Sequence, residues 1–136
     1  MAWNMNRRVE FRRCEAVILA TGHSARDTFI ELKEQGVVMQ PKAFAVGVRM
    51  EHPQEMIGLS QYGEAAKILP PASYKLTNTT SDGRGVYSFC MCPGGQVVNA
   101  SSECGRLVVN GMSEYARDGA NANSAIVVTV GPEDFG

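Results

Sequence analysis

The chain has 136 residues, 44% of them hydrophobic, with thirteen basic against fourteen acidic residues and a net charge of -1. That size and apolar content suit one ordinary domain with a core, and the near-neutral charge excludes a partner held by attraction to a polyanion, so no nucleic acid is expected. No apolar run approaches the roughly 20 residues of a membrane-spanning helix, the N-terminus has no apolar signal core, and Cys14, Cys90, Cys92 and Cys104 lack the spacing of a disulfide framework; reduced thiols in the cytoplasm are the expectation.

In chain order, Val9 and Phe11 alternate with charge over 7–13, as in a half-exposed strand, and Arg7, Arg8, Arg12 and Arg13 with Glu10 among them read as its solvated face. Residues 16–20 are apolar throughout, predicting a strand buried on both sides. Thr21-Gly22-His23 breaks it; Ser24 is the expected N-cap, Asp27 suits the first turn, and Ala25, Phe29 and Leu32 share the face of a helix that ends at Gly36. Residues 43–51 predict a strand with Phe44, Val46, Val48 and Met50 on its core face and Ala45, Gly47, Arg49 and Glu51 on the other. Pro53 opens a short helix carried by Met56, Ile57 and Leu59 to about Tyr62. Residues 74–80 predict an exposed strand, 86–100 a hairpin turning at Pro93-Gly94-Gly95, 107–109 a short strand, 112–116 one helical turn and 125–130 a last strand; Asn121 and Asn123 read as turn residues before it.

Strands outnumber helices, so the expected class is α+β: a mainly antiparallel sheet with two or three helices. The first strand, turn and helix, over 14–36, look like part of an α/β sheet whose other strands are missing, and 37–136 like a separate domain. Both ends fall inside runs that look continuous with more chain, which is the mark of an excised piece.

Several residues invite chemistry. Cys90 and Cys92 are too close, and the other cysteines and the two histidines too scattered, for a structural zinc site, so no metal is expected. A dithiol reading competes with two small buried thiols on one strand face. Arg49 and Glu51, on the same face of one strand, read first as members of a cross-strand ion pair and otherwise as the lining of a substrate cavity. No Ser-His-Asp set, paired carboxylates or phosphate loop stands out, and no catalytic residue is assigned.

Longer blocks carry a resemblance. Residues 17–28 around Ala20-Thr21-Gly22-His23, residues 42–54, the run Tyr87-Ser88-Phe89-Cys90-Met91-Cys92-Pro93-Gly94-Gly95, and the shorter blocks 100–103, 110–113, 116–119 and 121–125 together resemble a group of FAD-dependent dehydrogenases labelled NAD-utilising. The resemblance covers about 14 to 130 and rests on the blocks standing in order. It implies an intact protein of several hundred residues, with FAD bound by an N-terminal Gly-rich turn absent here; Gly83-x-Gly85 has Ser88 where a third glycine belongs. It implies that 14–36 returns to the incomplete FAD-binding α/β domain and that 37–136 is the insertion, or substrate-side, domain, inactive alone. By the same resemblance Thr21, Gly22 and His23 approach the flavin, as does the turn of Cys92, Pro93, Gly94 and Gly95, whose N–H groups would face the ring. Expected partners are the missing FAD-binding domain of the same protein, a small-molecule substrate and NAD(P)H as a candidate reductant, with dimerisation through the exposed domain interface. Two rival readings are a stand-alone binding module and a small thiol redox protein using Cys90 and Cys92.

Overall fold

The computed structural model describes residues 11–135 and falls into two compact units, Met1–Val38 and Met39–Gly136. The expected strand over 7–13 lies mostly outside the described residues, Arg7 and Arg8 with it, and its described part, 11–13, joins no sheet.

In the first unit the helix forms where the periodicity places it, as α1 (Arg26–Glu34), and Ala25, Phe29 and Leu32 are its half-buried face. Its N-cap is Ala25 rather than Ser24, without a side-chain capping bond; Asp27 lies in the first turn, where its carboxylate accepts from the Thr28 N–H at 2.8 Å. The far end closes through Gly36 N–H to the Lys33 carbonyl and Val37 N–H to the Leu32 carbonyl, both 3.0 Å, the paired bonds of a Schellman ending. The strand expected over 16–20 is not formed: these residues join no ladder, and Val17 and Ile18 are 81% and 91% exposed. A strand needs a neighbour to take its backbone groups, and the described residues supply none there.

The second unit is α+β, with two antiparallel sheets. Strands β1 (Phe44–Pro53), β2 (Thr77–Thr79), β3 (Gly85–Cys92) and β6 (Asn121–Val130) form a sheet in the order β1-β6-β3-β2, and β4 (Gly95–Asn99) pairs with β5 (Val109–Ser113) as a second one. Helix α2 (Gln54–Tyr62) follows β1 directly, with Pro53 as its cap and Glu55 in the first turn, and a 3-10 turn, Gly63–Lys67, extends it. The core of this unit is small: Ile57, Ala72 and Ala122 are its buried apolar residues, and Asn123 and Ser124 are buried beside them.

Four expectations change. The 86–100 hairpin does not form, because β3 and β4 belong to different sheets; an irregular step between Phe89 and Cys92 and the absent N–H of Pro93 end the β3 ladder before the chain can fold back on it. The short strand begins at Val109 and runs on through Met112 and Ser113 in place of the expected helical turn. Asn121 and Asn123 are strand residues, not turn residues. Phe44, Val46, Val48 and Met50 share a face as alternation requires, but those side chains are 54%, 48%, 68% and 52% exposed, with Phe135 stacked on Phe44 at 5.4 Å.

The far end of the large sheet is fastened by a forked ion pair. Arg84, just before β3, donates from Nη1 to Asp134 Oδ2 and from Nη2 to Asp134 Oδ1, both at 2.7 Å, and the Gly131 N–H donates to the same carboxylate at 2.8 Å. The guanidinium, and after it that N–H, hold the Asp134 carboxyl down to about 2 from its ordinary 3.8. A depressed folded value stabilises the folded state above the unfolded pKa and is lost as pH falls toward the folded one. Asp134→Asn should therefore lower the thermal midpoint at neutral pH and abolish part of the loss of stability between about pH 4 and 2. Melting curves across that range check it, and a variant with the parent's acid profile would rule the fork out as a stabilising contact.

Candidate functional site

The site is built around the end of β3. Phe89 stands opposite Ala125 and Cys92 opposite Asn123, so β3 advances three residues where β6 advances two. This β-bulge holds Cys90 at φ +47°, turning its carbonyl out of the ladder. Arg49 of β1 supplies the missing donor: its Nη1 donates to the Cys90 carbonyl at 3.0 Å and to Asn123 Oδ1 at 2.7 Å. The Cys92 thiol also donates to the Cys90 carbonyl, at 3.3 Å.

Beyond the bulge the chain turns through Pro93-Gly94 into β4. The Gly94 N–H donates to Gln54 Oε1 at 2.7 Å, and Gln54 Nε2 donates to the Ala72 carbonyl at 3.0 Å, so one amide at the start of α2 satisfies two otherwise unpaired backbone groups. The Ser113 hydroxyl donates to the Pro93 carbonyl at 2.7 Å, and the Gly119 N–H to the Gly94 carbonyl at 3.2 Å. Gly94 sits at φ +54°, and a Cβ there would drive into the Arg117 backbone. Arg117 itself lies at φ +53°; it and Cys90 are the non-glycine residues with positive φ among those described. Two strained backbones at one turn cost of order 1–3 kcal/mol each and mark functional sites more often than plain scaffold.

Two hollows flank the turn. The larger, about 780 Å³, is lined among others by Met91, Cys92, Pro93, Ser113, Tyr115 and Arg117. The smaller, about 290 Å³, is lined by Glu51, Gly94, Gly95, Asp118 and Asn121 with their neighbours. Glu51 and Arg49 do not pair with each other: Glu51 accepts from Asn121 Nδ2 at 2.7 Å and from the Val97 N–H at 3.2 Å.

The residues expected near a cofactor divide accordingly. Thr21, Gly22 and His23 belong to the first unit, where all three are exposed and Gly22 sits at φ +77° with no atom within 4 Å of where a Cβ would stand. Cys92 and Pro93 line the larger hollow of the second unit, while Gly94 and Gly95 are buried, and the Gly94 N–H is already taken. Sequence reasoning missed Gln54, Ser113, Asn121 and Asn123; their only signal is polarity at positions where strand or helix pattern predicts half-burial. Among the described residues no three His, Cys, Asp or Glu side chains converge as a metal site, and no helix is long and apolar enough to cross a membrane.

Comparison with known proteins bears on the same segment. The model of a family described as FAD-dependent protein, C-terminal domain-like, matches residues 43–136. An uncharacterised protein of Clostridium beijerinckii (strain ATCC 51743 / NCIMB 8052) is 61% identical over 125 residues, which is 90% of this chain and 24% of that protein. The chain thus spans about a quarter of that relative's length.

The clamp on the turn is open to test. Gln54→Ala should destabilise the chain by about 1–3 kcal/mol, because it strands a buried donor as well as removing two hydrogen bonds. Gly94→Ala should cost more, since its left-handed φ penalty of roughly 1 kcal/mol adds to a backbone collision. Denaturant unfolding measures both; a neutral Gly94→Ala would contradict the packing of Gly94 against Arg117.

Proposed function

The chain belongs to the family of FAD-dependent proteins that share this C-terminal-like domain, and on that footing we propose that it forms the substrate-side segment of an FAD-dependent oxidoreductase. The observation that carries the reading is the architecture of the matched segment. Every ladder in it is antiparallel, and it presents an outward apolar face of Phe44, Val46, Val48 and Met50. Dinucleotide diphosphates are usually gripped by a parallel strand-turn-helix unit. The segment's part is therefore to border the flavin and the substrate, and its apolar face is the surface on which the FAD-binding portion of the same polypeptide rests. A second copy of the chain would occupy the same face in a dimer.

The described residues fit the cofactor in part. Gly22 leaves its backbone open on the side a Cβ would fill, so Thr21, Gly22 and His23 can lie close against FAD. At the other turn Pro93 has no N–H and that of Gly94 is bonded to Gln54, and both residues are buried, so the turn offers the half-buried Cys92 rather than a row of backbone donors. FAD, when bound, supplies the capacity to accept or give a hydride. The chain's own residues then position the partner and exclude water, with Cys92, Ser113 and Arg117 at the rim of the larger hollow. The resemblance of the sequence blocks extends the proposal to NAD(P)H as reductant, and four free thiols support a cytoplasmic setting.

FAD retention tests the reading. The full-length Clostridium relative should purify with flavin absorbance and fluorescence, and its quarter-length segment equivalent to this chain should not. Tight binding by the segment alone would place the diphosphate grip within it and overturn the substrate-side assignment; a full-length protein without affinity for FAD would overturn the flavoprotein reading itself.

A further inference from the structure

Between the two sheets runs a groove of about 390 Å³, lined by Gly47, Phe89, Leu107, Val109, Ala125 and Val127 with Arg49 among them. Its walls are almost wholly apolar, and Arg49 is its one charged residue. We infer that this groove binds a small molecule with an apolar body and a single carboxylate, the carboxylate seated on Arg49.

The argument begins with what Arg49 lacks. It is half-buried, and a guanidinium drawn out of water is normally balanced by a carboxylate. Its partners are neutral: Asn123 Oδ1 and the Cys90 carbonyl. Glu51, on the same face of β1, serves Asn121 and Val97 instead. Both bonds of Arg49 leave from Nη1 and use its two hydrogens. The Nε and Nη2 edge, with three N–H donors in one plane, makes no bond to any described residue. That edge is the one a carboxylate engages through two parallel hydrogen bonds.

The guanidinium is also held still. Asn123 is fully buried, and with its Oδ1 turned to Arg49 its Nδ2 has no partner among the described residues. The amide is kept in that orientation by the cation, and leaving a buried donor unpaired costs about 1–3 kcal/mol. Gly111 lets the β5 backbone lie against the pair, since a Cβ there would meet both Asn123 Oδ1 and Arg49 Nη1. A fixed cation at an apolar wall selects by charge and shape together. One cation balances one carboxylate, whereas a phosphate dianion would leave net charge against the apolar lining. The groove volume falls in the usual range for small-molecule sites.

As the substrate site of an oxidoreductase the groove rests on the function proposed above; its binding of a carboxylate does not, and it can be measured without flavin. The probe is phenylacetate, against its neutral isostere phenylacetamide, titrated into the 136-residue chain by heteronuclear NMR. Phenylacetate should bind saturably, and phenylacetamide at least about tenfold more weakly, the difference one charge-assisted pair makes. Leu107→Glu, at an 82% exposed position on the groove, should repel the acid and so weaken it more than the uncharged amide. Arg49→Lys should keep the charge and lose the two-pronged contact, weakening the acid several-fold. Equal affinity for acid and amide, indifference to Leu107→Glu, or no binding of either probe would overturn the inference. So would binding by the chain together with none by the full-length relative, which would mean that the rest of that polypeptide fills the groove. FAD retention by the same full-length preparation reports separately on the flavoprotein reading.

Discussion

One guanidinium joins three strands of the large sheet. Arg49 stands on β1, reaches Asn123 on β6 and caps the carbonyl that the bulge in β3 throws out of register. Hydrogen bonds from a charged donor contribute roughly 1.5–3 kcal/mol each, enough to offset the left-handed φ of Cys90 and the unpaired Nδ2 of Asn123. Without the cation, the buried Asn123 oxygen would lose its donor and the bulge carbonyl would keep only the Cys92 thiol. The second sheet depends on the same point, because a Cβ at residue 111 of β5 would meet Asn123 Oδ1 and Arg49 Nη1, so the backbone can approach only as glycine.

From that joint the route of the chain follows. The bulge ends the β3–β6 ladder, Pro93 prevents another bond from forming, and Gly94 turns the backbone into β4. The turn then needs partners from elsewhere, and it finds them in Gln54, Ser113 and Gly119, which come from three different parts of the sequence. Local strain at Cys90 and Arg117 is held by contacts that are not local. This is the arrangement expected where a loop must keep one shape beside a ligand rather than adapt to it.

The sequence made the elements legible where a period ran long enough. Alternation over 44–51 and the apolar run over 125–130 mark β1 and most of β6, and the spacing of Phe29 and Leu32 marks α1. What covers a face is not periodic information: alternation separates Phe44, Val46, Val48 and Met50 from Arg49 and Glu51, yet it is the second set that lies under the other sheet. Asn121 and Asn123 look like turn residues because Asn favours turns when nothing else bonds its amide; here Glu51 and Arg49 do, across a strand pair set by contacts 70 or more residues apart in sequence. The hairpin expected over 86–100 failed for a related reason. Two apolar runs around Pro93-Gly94-Gly95 carry the signal of a hairpin, and the extra residue that unpairs them leaves no trace in composition. The Cys92–Gly95 turn was legible as a place of interest, but its glycines serve the approach of Arg117 and Met112 backbone rather than open space for a ligand.

The large sheet thus places Arg49, Glu51, Asn121 and Asn123 on the face under the second sheet, beside Phe89, Ala125 and Val127, and Phe44, Val46, Val48 and Met50 on the other. Glu51 on the covered face completes its hydrogen bonds with the second sheet, accepting from the Val97 N–H of β4, and Gly111 lets β5 lie against Arg49 and Asn123. The apolar face needs cover of another kind. Four side chains, each about half exposed or more, form a contiguous stripe of the sort that soluble proteins reserve for contacts. If hydrophobic burial alone had shaped this segment, Phe44, Val46, Val48 and Met50 would lie under the second sheet and Arg49 in water. That they do not leaves Arg49 fixed between the two sheets and the four apolar side chains on the outer face.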